Sequence, residues 1–299
     1  MVKEMIVTDV TDIGDPFILR DGEKYYMYAT SAKDGFLYFW SDDLKNWEKC
    51  GYCYKGTPDL TENNYWAPEV YKIRDKYYML FTARWREKHS LRLWLAEAES
   101  PCGPFVNVYD RPLFDFGYAV IDGTLFFDDD GQSYLYYSRD CSENIINGVH
   151  TSELYCVKFN AETLVVEGEA VKLTTPDTPW ETSLDPKWRW NEAPAVIKHN
   201  GVYYLNYSVN CFDSREYSIC LATSESPMKN FVKREENPIL KYREGEFSGL
   251  GHNCFFTDKN GELKTAFHIH TFYEKPSGNR RACIANASFT SDGGMKFDV

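Results

Sequence analysis

The sequence predicts an all-β protein, a five-bladed β-propeller that forms a single domain over residues 1–299. Three observations support this fold class. The stretch from Gly14 to Thr30 recurs four more times along the chain in a degraded form. Each copy has the pattern of a β-hairpin, in which an apolar run, a turn signal and a Tyr-rich run follow one another. The copies begin roughly 50 to 70 residues apart, which is enough chain for four strands each.

The internal spacing of the copies indicates a true repeat. Pro16, Pro68 and Pro194 are each followed by Tyr-Tyr at positions +9 and +10 and by Thr or Ser at +14. In the third copy Gly123 takes the place of the proline, and the third and fifth copies are slightly longer, as a longer hairpin turn would make them. The five hairpin turns are predicted at Arg20-Asp21-Gly22, Arg74-Asp75, Asp129-Asp130-Gly131, His199-Asn200-Gly201 and Lys259-Asn260-Gly261.

The blades follow from the repeat in chain order. We predict blade one over about residues 14–54, blade two from Trp66, blade three over 121–169, blade four from Asn191 and blade five from Gly249. The last strand, around residues 281–289, is a candidate to pair with the chain start and close the ring. The longest non-repeating segment lies between blades three and four, at about residues 173–191, and its length favours a functional loop over a linker.

Composition and charge exclude several classes of partner. A net charge of −12 and a pI near 5.1, with no basic patch, argue against nucleic acid and against an anionic membrane. The N-terminal sequence lacks the profile of a signal peptide, so we expect a cytoplasmic protein, or a secreted one if a signal has been removed. The nine cysteines are odd in number and scattered, as expected of reduced thiols.

The residues that open the repeats carry the candidate chemistry. In a propeller the first strand of each blade lines the central channel, so these residues point toward the axis at one mouth. They are Asp15, Trp66 with Glu69, Asp122, Glu192 and His252. Carboxylates crowded in a narrow funnel raise one another's pKa, and such a costly arrangement indicates a functional site.

Separated carboxylates in an aromatic-walled pocket suit glycoside hydrolysis. One, ionised, acts as the general base that activates water, and another, with a raised pKa, acts as the general acid that protonates the leaving oxygen. Because the carboxylates come from non-adjacent blades, we expect a separation of roughly 6.5–9.5 Å, which predicts inversion of the anomeric centre.

The chain resembles glycoside hydrolase family 43, whose members are five-bladed propellers that act on arabinose- and xylose-containing polysaccharides. The motifs that carry the resemblance are Gly14-Asp15-Pro16, Ser41 to Trp47, Trp66-Ala67-Pro68-Glu69, Ser100 to Phe105, Ile121-Asp122-Gly123, Asn191-Glu192-Ala193-Pro194 and Gly251-His252-Asn253. Two departures stand out. Many relatives have Glu-Gly-Pro in place of Glu192-Ala193-Pro194, and Asp in place of Glu69.

The resemblance implies a role for each residue. Asp15 is expected to be the general base, Glu192 the general acid, and Asp122 the carboxylate that tunes and orients the acid. We assign Trp66, Glu69 and Arg281 to substrate binding, with Arg280 as a competitor of Arg281. His252 is expected to contact a structural calcium ion near the axis, and no organic cofactor is expected.

These expectations define an inverting, exo-acting enzyme that releases terminal α-L-arabinofuranose from hemicellulose- or pectin-derived oligosaccharides. A β-D-xylosidase is the close alternative, and another sugar such as galactofuranose stays open. A non-catalytic sugar-binding propeller is disfavoured because all three carboxylates are present. A retaining fructosidase would need Arg-Asp-Pro and Glu-Cys motifs, which are missing at suitable places. The linkage cleaved, exo or endo action and the oligomeric state are not determined by the sequence.

Overall fold

A computed structural model describes residues 5–299, and its described part is built almost wholly from antiparallel β-sheets. The chain forms a five-bladed β-propeller in which each blade starts at the channel and proceeds outward. Blade one uses the second half of the long strand β1, followed by three further strands. Its elements are β1 (Ile6–Asp21), β2 (Lys24–Thr30), β3 (Gly35–Ser41) and β4 (Glu48–Lys55).

Blades two and three follow the same plan. Blade two contains β5 (Trp66–Ile73), β6 (Lys76–Trp85), β7 (Ser90–Ala98) and β8 (Val106–Asn107). Blade three contains β9 (Val120–Phe127), β10 (Ser133–Arg139), β13 (Glu153–Asn160) and β14 (Val165–Thr174), with β11 (Ile145–Ile146) and β12 (Val149–Thr151) inserted in the loop after β10.

The segment between blades three and four has a structure of its own. It holds the short helix α1 (Pro179–Thr182) and the strand β15 (Trp188–Arg189). Strand β15 pairs in parallel with β12, so that the insert and the blade-three loop form one three-stranded sheet. The expected loop is therefore folded against its neighbour.

Blades four and five follow the insert. Blade four contains β16 (Asn191–His199), β17 (Val202–Val209), β18 (Ser218–Ser224) and β19 (Val232–Lys233). Blade five contains β20 (Gly251–Thr257), β21 (Leu263–His270) and β22 (Arg280–Phe289), and β23 (Met295–Phe297) pairs with the end of β22. The first half of β1 pairs with β22, as the sequence suggested, and links blade one to blade five.

Every inner strand begins with the same backbone irregularity. One residue near its start has a positive φ, between 46° and 55°, and the register of the strand pair shifts next to it. The five residues are Asp15, Ala67, Asp122, Ala193 and His252. A left-handed conformation costs an L-residue about 1–2 kcal/mol, so the surrounding structure must impose it in each blade. These bulges turn the strand ends toward the mouth of the channel.

In blades one, two and four the Thr or Ser at position +14 of the repeat holds the bulge of the next blade. The hydroxyl of Thr30 accepts the backbone N–H of Ala67 at 2.9 Å, and the hydroxyl of Thr82 accepts that of Asp122 at 3.1 Å. Ser208 does the same for His252. In blade five the equivalent residue is a histidine, considered below. The repeat position is therefore a contact between blades, which explains why these three blades have a hydroxyl side chain there.

The apolar core lies between the blades. Phe36, Tyr54 and Phe81 pack blade one on blade two, with the Tyr54 and Phe81 ring centroids 4.6 Å apart. All nine cysteines are unpaired, in agreement with the expectation of reduced thiols. Within residues 5–299 no helix has the length and hydropathy needed to cross a bilayer.

Candidate active site

The bulged ends of the inner strands surround a pocket of about 240 Å³ at the channel mouth. The structure brings together five of the seven residues that the sequence assigned to the site. They are Asp15, Trp66, Asp122, Glu192 and His252. Each of the five residues comes from a different blade. The blades of Asp15 and His252 are neighbours that share strand β1. The repeat starts thus converge on one pocket.

Asp15 lies among cationic and hydrogen-bonding groups. Its Oδ1 accepts a hydrogen bond from Arg280 Nη1 at 2.9 Å and lies 3.2 Å from His252 Nδ1. Its Oδ2 accepts a hydrogen bond of 2.6 Å from the Thr30 hydroxyl. Burial alone would raise the pKa of Asp15, but the charges of Arg280 and His252 outweigh it and hold the pKa well below its usual value. Asp15 is therefore ionised, as a general base requires.

The backbone of Asp15 is held as firmly as its side chain. Its N–H donates to Nδ1 of His268, which occupies the +14 repeat position of blade five, at 3.2 Å. Nδ1 must therefore be unprotonated. Burial and the nearby Arg280 charge both lower the pKa of His268, which keeps the ring neutral and able to accept this bond. His268 thus accepts the N–H of the next bulge residue, as the hydroxyl groups of Thr30, Thr82 and Ser208 do in blades one, two and four.

Asp122 lies between the two sides of the pocket. Its Oδ2 accepts the backbone N–H of Ala193, the residue after Glu192, at 3.1 Å, and lies 4.0 Å from His252 Nδ1. Burial raises the pKa of Asp122 to about 6, a rise that His252 partly opposes. Burial would lower the pKa of His252, but Asp15 and Asp122 raise it to about 9. His252 is therefore a cation shared by two carboxylates.

Glu192 has no basic side chain within ion-pair distance in the described structure. Its Oε1 accepts a hydrogen bond of 2.9 Å from the Tyr217 hydroxyl. Burial and the negative charge of Asp122 raise the pKa of Glu192 well above its usual value, while Tyr217 and His252 oppose this rise. The raised pKa favours the protonated form of the carboxyl group, as a general acid requires.

Two glycines make room for the side chains that reach these carboxylates. A Cβ atom on Gly14 would lie 2.0 Å from a guanidinium nitrogen of Arg280, and one on Gly251 would lie 1.9 Å from the ring of Tyr217. Both glycines immediately precede a bulge residue. Any larger side chain at Gly14 would therefore displace the arginine that holds Asp15.

Two predicted substrate contacts, Glu69 and Arg281, do not line the pocket. Strand β22 turns Arg280 into the pocket, whereas its neighbour Arg281, on the alternate face, does not line it. Glu69 lies two residues further along β5 than the bulge at Ala67, beyond the pocket floor, and accepts a hydrogen bond from Tyr71. Burial raises the pKa of Glu69 to about 7. Glu69 is therefore a buried carboxyl group on the far side of the bulge.

The sequence analysis missed several residues that line the pocket. The sequence marked Thr30 only as a repeat position, although its hydroxyl also contacts Ala67, the bulge residue of the next blade. Asp140, at the end of β10, adds a fourth carboxylate whose charge raises the pKa of both Asp122 and Glu192. The others are Ile121, Trp190, Cys211, Phe212 and Tyr217, and Arg280, which the sequence offered only as a competitor of Arg281, also lines the pocket. Most of these follow a strand end, where no motif distinguishes them.

The residues around His252 do not form a set of direct metal ligands. Residues 5–299 contain no group of three or more His, Cys, Asp or Glu side chains arranged to hold a metal ion. Nδ1 of His252 faces Asp15 and Asp122 as a cation, which suits hydrogen bonding rather than coordination. An axial calcium ion held mainly through water stays a prediction of the resemblance, and no step below depends on it.

Comparison with known proteins agrees with the geometry. The family described as Glycosyl hydrolases family 43 matches residues 9–295. Among solved structures, a thermostable family-43 glycoside hydrolase is 41% identical, with a TM-score of 0.92, over 97% of this chain and 94% of that one. A structure titled endo-1,4-β-xylanase, from Bacteroides thetaiotaomicron, is 30% identical, with a TM-score of 0.83, over 96% and 94% of the two chains.

Curated relatives are more distant. A β-D-galactofuranosidase of Aspergillus niger is 24% identical over 93% of this chain and 80% of its own length. An extracellular exo-α-(1→5)-L-arabinofuranosidase of Streptomyces avermitilis is 24% identical over 78% of this chain, which spans only 50% of that relative. Taken with the match over nearly the whole chain, these findings show that the protein belongs to glycoside hydrolase family 43 and is a glycosidase.

Proposed function

We propose that the protein is an inverting, exo-acting glycosidase that releases terminal α-L-arabinofuranose from short oligosaccharides. The observation that carries this proposal is the contrast between two carboxyl groups on one pocket. Arg280, 2.9 Å from Asp15, lowers the pKa of that carboxyl group, whereas burial and Asp122 raise the pKa of Glu192, whose hydrogen-bond donor is the Tyr217 hydroxyl. A pocket of about 240 Å³ lies below the range of about 300–1,000 Å³ for drug-sized ligands, which favours a single sugar ring at the chain end.

In the proposed reaction Asp15 takes a proton from a water molecule, and the oxygen of this water forms a bond to the anomeric carbon. The bond from that carbon to the leaving oxygen breaks, and Glu192 donates its proton to this oxygen. Asp122 fixes the backbone beside Glu192 and holds the acid's pKa up. Attack from the side opposite the leaving group inverts the anomeric centre.

Arabinose is favoured by the relatives that carry an arabinofuranosidase name, and xylose is the second candidate. A xylosidase/arabinosidase of Butyrivibrio fibrisolvens is 26% identical over 83% of this chain. The names of the relatives support arabinose- and xylose-containing glycans as the class of substrate. Both sugars can be compared directly as aryl glycosides, so the rate ratio decides between them.

The test uses 4-nitrophenyl α-L-arabinofuranoside, the matching β-D-xylopyranoside, and the corresponding disaccharides. We expect Asp15→Asn to lose activity on aryl glycoside and disaccharide alike. Glu192→Gln should lose far more on the disaccharide, because nitrophenolate departs without a proton whereas a sugar hydroxyl does not. Proton NMR should detect the inverted anomer first.

The control is Asp129→Asn, which alters a carboxylate that is 89% exposed at a hairpin turn, and it should leave both rates unchanged. Equal losses in Glu192→Gln on both substrates, or release of the retained anomer, would contradict the assigned mechanism. Sugar binding without any release of reducing ends would favour the non-catalytic alternative.

A further inference from the structure

We infer that the insert between blades three and four carries a second sugar-binding surface, centred on Trp188, for the oligosaccharide unit beyond the cleaved bond. This inference rests on the proposed function, since it concerns the leaving part of the same substrate. It assigns a role to a segment that the repeat does not explain and that the catalytic carboxylates do not use.

Trp188 lies next to a residue of the pocket wall. Trp190 lines the pocket, and Trp188 lies two residues before it, at the start of β15. The two rings are nearly parallel, with an interplanar angle of 16° and centroids 6.3 Å apart. At that separation parallel rings are offset and leave part of their surfaces uncovered. Trp188 remains 37% exposed, which extends an aromatic surface outward from the pocket.

The Trp188 ring is held in place before any ligand binds. The His150 ring stacks on it with centroids 3.9 Å apart and planes within 9°. Nδ1 of His150 donates to the Cys141 carbonyl at 2.9 Å, and Cys141 follows Asp140 in the pocket wall. The Trp188 surface is therefore joined to the pocket wall at two points. A pre-ordered aromatic ring loses little conformational entropy on binding.

The Glu181 carboxylate fixes the insert to blade four. Glu181 is buried within α1, and its carboxylate accepts hydrogen bonds from both sides of the insert. Oε1 accepts from Asn191 Nδ2 at 2.9 Å and from the Tyr207 hydroxyl at 3.1 Å. Oε2 is 2.6 Å from Lys233 Nζ and also accepts from the Thr178 hydroxyl. A buried charge is stable only with such partners, so the insert is bound to blade four beside Glu192.

These contacts distinguish a binding surface from ordinary loop packing. The apolar contacts of the insert with blade four are made by Trp180, which packs against the cluster around Leu205 and Tyr207. Trp188 does not belong to a core cluster of the described chain, and its stacking partner is a half-buried histidine. An exposed aromatic ring that is rigidly supported at the rim of a sugar pocket fits the apolar face of a pyranose or furanose ring.

The test compares Trp188→Ala with the parent protein on two substrates of the same sugar. One is the glycosyl fluoride, whose single-atom leaving group cannot reach Trp188, and the other is the linear trisaccharide of the same sugar, either α-(1→5)-arabinotriose or xylotriose. We expect kcat/KM on the trisaccharide to fall about three- to tenfold, mainly through KM. On the glycosyl fluoride it should change less than about twofold. His150→Ala should give a smaller loss of the same selectivity.

Phe127→Ala provides the control, because Phe127 is 42% exposed at the far end of β9, away from the pocket. It should alter neither rate. Equal losses on both substrates in Trp188→Ala, or no loss on the trisaccharide, would overturn the inference and leave the proposed function standing. If the parent protein hydrolysed neither substrate, both the proposed function and this inference would be overturned.

Discussion

The two sides of the pocket hold the same chemical group in opposite states. On one side Asp15 faces Arg280 at 2.9 Å and His252 at 3.2 Å, and accepts the Thr30 hydroxyl. On the other side Glu192 has one hydrogen bond, from Tyr217, and its strongest charged neighbour is Asp122. Only 11% of the Asp15 side chain is exposed and Glu192 is buried, so burial alone cannot account for the difference.

Cations supplied by blade five decide which of the two carboxyl groups is held ionised. Arg280 and His252 both come from blade five, which adjoins blade one through β1. They cancel the cost of burying the Asp15 charge. Glu192, on blade four, has no basic side chain of the described residues within ion-pair distance, and the opposing effects of Tyr217 and His252 do not cancel the rise in its pKa that burial and Asp122 cause. Three changes should therefore move the two groups' pKa values, and the activity, in different directions.

The largest effect is expected from Arg280→Met. Without the guanidinium the pKa of Asp15 rises, so the acidic limb of the pH profile of kcat/KM moves to higher pH. We expect kcat/KM to fall by about 100-fold or more, because the base is both less ionised and less well placed. Removing one partner of a buried pair should also lower the free energy of unfolding by about 3–5 kcal/mol. Thermal unfolding would measure the second effect.

Arg281→Met is the matched control, since Arg281 follows Arg280 on the same strand but does not line the pocket. It should change kcat/KM by less than about threefold. If Arg281→Met instead matched the loss in Arg280→Met, the placement of the two arginines would be wrong.

Asp122→Asn should act on the acid side. Asn can still accept the Ala193 N–H, but it removes the negative charge that raises the pKa of Glu192. The alkaline limb should therefore move to lower pH, and kcat should fall about 10- to 100-fold. Because the pKa of Asp122 is about 6, the altered electrostatics should appear above that pH and fade below it. A fall in kcat with an unmoved alkaline limb would show that Asp122 acts only through structure.

The smallest effect, of opposite sign, is expected from Tyr217→Phe. Its hydroxyl lowers the pKa of Glu192, so its removal should move the alkaline limb to higher pH, by up to about one pH unit. Phe preserves the ring that stacks on His268 with planes within 4°, so the base side should be undisturbed. A pH profile measured beside that of Asp122→Asn checks the sign. A shift of both variants in the same direction would refute the electrostatic account.

The five bulges show how much of the site could be predicted from sequence. Asp15, Asp122 and His252 occupy the left-handed bulge position itself, and in blades two and four that position holds alanine. Trp66 and Glu192 come one residue earlier, yet they line the same pocket. Motif position alone therefore located these five residues at the channel mouth, because the repeat marks where each inner strand starts.

The sequence by itself determined the five-bladed fold, the family and the five residues at the repeat starts, since all depend on local patterns repeated along the chain. Tertiary structure alone decided that Arg280 and not Arg281 reaches Asp15, that Glu69 lies beyond the pocket, and that Trp190 joins it. Each of these outcomes depends on which face a side chain takes next to a bulge or on how a loop packs on another blade. A register shift of one residue reverses the face of a strand, and contacts between distant blades leave no periodic trace in the sequence.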